Sequence, residues 1–284
     1  MSKYIILVET GADVPEELKR RYHIYTVPMH VSFLEETKDD GSFPIQDLFD
    51  FYKTTGVLPK TSGCNVGDFE TVLDQIHAEY PDYHILHLAY SAITTCSYQS
   101  CLLASEGRDY VTSIDTKQVT AGQCMVAVLT ARYVEAHPEA SLEEMKQVIQ
   151  GYIERIHMGF FPGDLDYLRA GGRVSNVAYL GAKILSLNPL IEIIDGKLIA
   201  SKKIRGKVEK VALKLFPEFV EKYNLSREIL YFAYSAGFPE ESKRELEAKA
   251  REMGFQEICW VQTGSVVSTH SGPGASGICG ISAE

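Results

Sequence analysis

The sequence has no GxxxxGK[ST] loop, and with it no familiar cradle for a nucleoside triphosphate. It also lacks a GxSxG elbow, and no local arrangement of Ser, His and Asp marks a nucleophile. The six cysteines show neither CxxC spacing nor a zinc-type His/Cys array, so reduced thiols in a cytoplasmic protein are expected. His84 and His87 stand three apart on a predicted strand, which sends them to opposite faces and argues against a shared metal. No metal and no cofactor are expected. There is no long run of Lys and Arg, and the net charge is -10, which argues against nucleic acid and anionic membrane as partners. The apolar run at the start of the chain is broken by Glu9 and is far too short to span a bilayer, so integral membrane association is not expected. No internal repeat, low-complexity tract or heptad seam occurs.

What is present is enough apolar sequence, 45% of 284 residues, to fill the cores of two ordinary domains. Tyr4 to Val8 reads as a strand buried in a parallel sheet, followed by a short helix opened by Asp13 and Pro15. A second extended segment spans Ile24 to Phe33. The polar stretch Glu35 to Gly41 reads as a surface loop before an amphipathic helix near Ile45 to Tyr52. Val66, Phe69, Val72, Leu73, Ile76 and Tyr80 recur at helical spacing, and strands are expected at Ile85 to Ala89 and Val111 to Ile114. Helices are expected over Tyr98 to Ala104, Val119 to Tyr133 and Leu142 to Ile156, the last opened by a capping box at Ser141.

The alternation changes near residue 158, where a glycine-rich linker is expected. Asp195-Gly196 then marks a hairpin between Leu190 to Ile194 and Leu198 to Ser201. Two helices, near Lys207 to Tyr223 and Glu240 to Met253, alternate with strands at Ile229 to Tyr234 and Glu257 to Val261. The fold class is therefore α/β with two domains. Residues 1–158 form a mostly parallel sheet with helices on both faces, and residues 159–284 form an α+β domain with an antiparallel sheet and helices. A cleft between them is the natural ligand site.

Four segments gather hydroxyl and glycine residues where a strand ends or a helix starts. The first is Thr61-Ser62-Gly63-Cys64-Asn65 and the second runs from Ser91 through Thr94, Thr95 and Cys96 to Ser97. The third runs from Asp164 through Gly171, Gly172 and Arg173 to Ser175, and the fourth is Thr263 to Gly274 around His270. Hydroxyls and free amides at helix starts suit an anion, and the carboxyl end of a parallel strand is where ligands sit in such sheets. Helix capping accounts for the same residues one at a time. Arg173 reads either as a solvated surface residue or as a carboxylate partner. His270 lies between glycine turns in what reads as a loop allowing close backbone approach.

In order and separation these segments resemble the DegV family of bacterial fatty-acid-binding proteins. Thr61 to Asn65 is similar to a TSxPS-like motif, and Ser91 to Ser100 to an SSxLSGTYQS-like segment. Leu165 to Ser175 resembles LxYLxxGGRIS, and His270-Ser271-Gly272-Pro273-Gly274 resembles a terminal HxGPG. The resemblance implies a protein that buries a long-chain fatty acid between two domains. It further implies that the carboxylate is presented to a separate ATP-binding fatty-acid kinase subunit, which makes an acyl phosphate. Such a chain is a ligand-binding subunit and not itself an enzyme.

By motif position Thr61, Ser62 and Thr95 are the implied carboxylate contacts, with Ser91 and His270 close by and Arg173 near the site or the partner surface. The sequence departs from the pattern at Glu9-Thr10 for Asp-Ser, Cys64-Asn65 for Pro-Ser, and Thr94-Thr95-Cys96-Ser97 for Leu-Ser-Gly-Thr. Cys96 thereby places a Cβ and a sulfur where the family has glycine. Two alternatives stay open: a hydrolase or transferase with Ser91, Thr95 or Cys96 as nucleophile near His270, and a regulatory sensor of another lipid or small acid.

Overall fold

The computed structural model describes residues 4–172 and 187–283. Its first half runs β1 (Tyr4–Glu9), α1 (Glu16–Tyr22), β2 (Tyr25–Val27), β3 (His30–Phe33), β4 (Glu36–Asp39), α2 (Ile45–Thr55), β5 (Lys60–Ser62) and α3 (Val66–Glu79). It continues with β6 (His84–Ala89), α4 (Ser97–Ala104), β7 (Val111–Asp115), α5 (Thr120–Ala136) and α6 (Leu142–Arg155). The second half comprises β8 (Ile156–Phe161), α7 (Leu165–Ala170), β9 (Leu187–Ile194), β10 (Lys197–Arg205), α8 (Val208–Lys222), β11 (Leu225–Tyr234), α9 (Glu240–Glu252), β12 (Glu257–Gln262), α10 (Ser265–Ser271) and β13 (Ser276–Ser282).

Local chemistry sets several of these boundaries. Asn65 and Asp68 exchange side-chain to backbone bonds in a complete capping box at the start of α3. Ser141 accepts from Glu144 N at the start of α6. Asp195 and Gly196 both take positive φ, 47° and 79°, as a two-residue hairpin that follows the sheet twist requires.

The first sheet has the order β2-β1-β6-β7 and is parallel throughout. Strand alternation sends Ile5 and Leu7 toward the face covered by α3 and α4, while Ile6 and Val8 meet α5 on the other. The second sheet has the order β10-β9-β8-β13-β11-β12 and is antiparallel except where β11 meets β12. Leu230 and Phe232 face α8 and α9, whereas Tyr231 and Ala233 belong to the core around α5. A mixed α/β fold with a parallel N-terminal sheet is thus present, as the alternation of elements implied. β8 crosses residue 158, where the sequence pattern changed.

Helix α5 lies between the two sheets, which explains why Thr120 to Ala131 is, apart from Gln123, apolar or small on every face. Ala121, Gly122, Ala127 and Ala131 keep it thin enough for both sheets to approach. Its one strained residue is Thr120, at φ 38°, where β-branching disfavours the left-handed region.

Three expectations need correction. Glu36 to Asp39 is not loop but β4, an exposed strand of the small sheet β4-β3-β5, and its polar sequence carries no alternation signal. The segment after residue 158 is not a linker at its start, because Gly159 and Phe160 pair with both β13 and β9. The Thr263 to Gly274 segment contains α10, so His270 stands in the last turn of a helix instead of on an open loop. β13 carried no signal at all, since Ser276-Gly277-Ile278-Cys279-Gly280 has the composition of a turn. Its glycines answer to packing: a Cβ at Gly280 would stand 2.7 Å from Leu225 Cδ1.

Candidate functional site

A cavity opens between the two sheets beside the N-terminus of α5. Its walls are mostly apolar, with Met29, Met158, Phe160, Leu198, Ala233 and Val266 among them. Its empty space is about 790 Å³ when the open solvent at its mouth is included, of which about 80 Å³ can hold the centre of a water-sized sphere. Thr61, Ser62, Thr94, Thr95 and His270 also line it, as do Thr120, Ser235, Thr263, Ser271 and Ser276, so hydroxyls and an imidazole interrupt a mostly apolar surface.

Thr61, Ser62, Thr94, Thr95 and His270 come from three of the four sequence segments. Thr61, on β5, places its Oγ1 2.7 Å from His270 Nε2 on α10. Gly63 holds the first and second segments together, because a Cβ there would fall 2.2 Å from Thr95 Oγ1 and 2.6 Å from Ser97 Oγ. Ser97 Oγ accepts from Cys64 N at 3.1 Å and lies 3.1 Å from Thr95 Oγ1. The third segment touches the fourth at Gly171, where a Cβ would stand 2.0 Å from His270 Nδ1. Gly171 itself follows α7, which Asp164 caps by accepting from Asp166 N.

Two expected site residues lie apart from this group. Ser91 is fully buried and donates to Gly196 O at 2.8 Å, tying the first parallel sheet's loop to the hairpin turn of the second sheet. Cys96 is exposed at the start of α4 and is not among the residues lining the cavity, so its Cβ and sulfur do not intrude on it. Arg173 lies outside the described residues, as does Ser175.

The family model described as "Uncharacterised protein, DegV family" matches residues 3–283. The chain belongs to the DegV family. It is 28% identical over 281 residues to a DegV domain-containing protein of Caldanaerobacter subterraneus subsp. tengcongensis, with 98% of each chain covered. It is 30% identical over 226 residues to a DegV domain-containing protein of Streptococcus pyogenes, covering 77% of this chain and 76% of the relative. A Thermotoga maritima structure described as revealing fatty acid binding function superposes with a TM-score of 0.84 at 26% identity, covering 99% of this chain and 100% of that one. A second structure from that organism, described as a DegV lipid binding protein, gives 0.82 at 27% identity and 98% coverage of both.

In this DegV chain the helix that carries His270 is anchored from the opposite side of the cleft. Asp40 Oδ1 accepts from Ser265 N at 2.8 Å, Ser265 Oγ at 2.5 Å and Val266 N at 3.2 Å, capping α10 in trans. Asp13 Oδ1 accepts from Gly264 N at 2.7 Å and its Oδ2 from Thr120 Oγ1 at 2.5 Å. Burial, and after it the charge of Asp40, push the Asp13 carboxyl well above its ordinary value. Sequence reasoning missed both roles. Asp13 read as a helix opener and Asp40 as loop, and their partners lie 251 and 225 positions away.

Glu9, standing where the family pattern has aspartate, is fully buried beside His87 with Oε1 3.4 Å from Nε2. Its Oε2 accepts from Tyr90 N and from Gln123 Nε2. Burial alone would raise this carboxyl, but His87 and those donors bring it below its ordinary value. Burial likewise disfavours the His87 cation, and the Cys101 sulfur and Glu9 carboxylate overcome it, pushing the imidazole up to about 10. The pair is a structural tie within the first sheet.

Among the described residues no helix is long and apolar enough to cross a membrane. Nor does any group of three or more His, Cys, Asp or Glu among them suit a metal ion.

Proposed function

We propose that this chain binds a long-chain fatty acid, with its acyl tail in the cavity between the sheets and its carboxylate at Thr61, Ser62, Thr95 and His270. The single observation that carries this is the junction of an apolar cavity with the Thr61–His270 pair at its polar end. The tail supplies the affinity: each buried methylene is worth about 0.8 kcal/mol, so a long chain gains on the order of 10 kcal/mol before the costs of association. The head group needs donors, since a buried unpaired carboxylate would cost several kcal/mol. When His270 Nε2–H donates to Thr61 Oγ1, the Thr61 proton is left to donate to a ligand oxygen. Relatives described as fatty-acid or lipid binders support the reading.

The same reading makes the chain a cytoplasmic ligand-binding subunit without a nucleotide site of its own, serving a separate ATP-binding kinase subunit. Neutral donors leave a carboxylate oxygen nucleophilic. That oxygen attacks the terminal phosphorus of ATP; the new O–P bond forms as the bond to the leaving ADP oxygen breaks. A bidentate Arg clamp would engage both oxygens and oppose this.

The test is mass spectrometry of whatever lipid is extracted from protein purified from cells, followed by hydroxylamine trapping of acyl phosphate after ATP and a fatty-acid kinase subunit are added. A co-purifying fatty acid and kinase-dependent hydroxamate are expected. An empty or purely polar cavity would sink the carrier reading, and a loaded protein giving no hydroxamate would sink the kinase role alone.

A further inference from the structure

The imidazole of His30, on β3, is held between two carboxylates. Its Nδ1 lies 2.9 Å from Asp39 Oδ1 on the neighbouring strand β4, and its Nε2 lies 2.8 Å from Asp68 Oδ2 in the first turn of α3. Ionised carboxylates only accept, and a neutral imidazole has a single N–H, so bonding to both requires the cation with its two donors. Burial disfavours that cation, and the hydrogen bonds and charges of Asp68 and Asp39 outweigh it, holding the imidazole above its ordinary value of 6.5. The Asp68 contact is the stronger, because the Asp68 side chain is 19% exposed and that of Asp39 59%, so solvent screens it less. Strand β5 places the uncharged Ser62 opposite His30 and, two positions along the same face, the like charge of Lys60 opposite Ser32.

His30 reaches the head-group loop at both of its ends. Ser62 pairs with His30 in the small sheet, and Asp68 Oδ2 also accepts from Asn65 N at 2.7 Å, closing the capping box that follows the loop. Gly63, which abuts Thr95 Oγ1, lies between these two attachments, with Thr61 just before them. We infer that His30 is a positioning residue for the fatty-acid head group: as the imidazolium it locks the loop from Thr61 to Asn65 in its binding conformation, and on losing a proton it releases that loop. The inference rests on the carrier reading above and adds to it a release driven by rising pH. With the remaining proton on Nδ1, the Nε2 lone pair meets the Asp68 carboxylate, and their repulsion draws Asp68 away from Asn65 N. With that proton on Nε2, the Asp68 bond persists but loses the charge of its donor. The favourable contribution is complete below 6.5 and is lost as pH rises through the raised folded value.

The test measures the affinity of delipidated full-length protein for cis-parinaric acid, an intrinsically fluorescent long-chain fatty acid, between about pH 6 and pH 9, where a free carboxylic acid is ionised throughout. Wild type is compared with His30→Arg, whose cation persists, and with Asp39→Asn, which removes the countercharge farther from the loop. Urea melts at each pH verify that the fold is intact. Over this range wild type is expected to lose roughly three- to tenfold in affinity relative to His30→Arg, the worth of one charge-assisted bond. Other titrating groups are common to both proteins and cancel in the ratio. Asp39→Asn should move the midpoint of the loss to lower pH, because an opposite charge has gone. Should His30→Arg not fold, His30→Gln takes its place as a neutral reference and is expected to lack the pH-dependent loss. Parallel profiles for wild type and the reference variant, or a midpoint unmoved by Asp39→Asn, would overturn the inference. Failure of wild type to bind the fatty acid at any pH would instead remove the carrier reading and the inference with it.

Discussion

Thr61 Oγ1 and His270 Nε2 lie 2.7 Å apart although 209 positions separate them in the chain. The bond closes the polar end of the cavity by joining β5 of the small sheet to α10. It also means that neither group is preorganised for a ligand without the other. Thr61→Val removes the hydroxyl at nearly constant volume. Fatty-acid affinity should fall by about 1.5–3 kcal/mol, roughly ten- to a hundredfold in Kd, with the fold retained. Calorimetric titration checks this, and an unchanged Kd would remove Thr61 from the head-group site.

Gly171 has φ -68°, which any residue adopts, so substituting it acts through contact alone. Alanine there would drive a Cβ to 2.0 Å from His270 Nδ1 and displace the imidazole. Gly171→Ala should therefore weaken fatty-acid binding about as much as His270→Ala does. In a double-mutant cycle the two should be strongly non-additive, because both act on one ring. Additive losses would show that Gly171 matters for some other reason.

Asp40 and Asp13 hold the start of α10 through its first backbone amides and Gly264. Asp40→Ala should cost about 2 kcal/mol of stability through the lost cap, and should loosen the helix that presents His270. Asp13→Asn should behave differently. The Asp13 carboxyl is raised, so its favourable contribution belongs to the protonated form and is lost as pH rises through its folded value. At neutral pH the neutral amide should leave stability unchanged or increased, and the pH dependence shallower. Urea melts across the acid range decide it; a loss above about 1 kcal/mol at neutral pH would contradict the like-charge account.

The Glu9–His87 pair predicts a stability window. Glu9 is lowered from 4.5, so its contribution is present above that value and lost as pH falls further. His87 is raised from 6.5 to about 10, so its contribution is complete below 6.5 and disappears as pH climbs toward 10. The two together are fully favourable between these unperturbed values. His87→Leu should cost about 3–5 kcal/mol by stranding Glu9, and Glu9→Gln added to it should recover part. Parallel pH profiles for wild type and the double variant between neutral and alkaline pH would exclude the ion pair.

By itself the sequence determined the elements whose signal is local: the apolar run of β1, the 3.6-residue periodicity of α3, the caps Asn65 and Ser141, and the Asp195-Gly196 turn. It also supplied the segments containing Thr61, Ser62, Thr95 and His270, because hydroxyl and glycine clusters at element ends stand out from periodic surroundings. Only the tertiary structure decided which of them meet. Ser91 turned to Gly196 and Cys96 to solvent, whereas Thr61 met His270, since those outcomes depend on how two sheets close around α5. β4 and β13 became strands through their neighbours' hydrogen bonds and not through their own composition. The carboxylates that cap α10 were invisible for the same reason: a cap supplied from the other side of a cleft leaves no spacing in the chain to read.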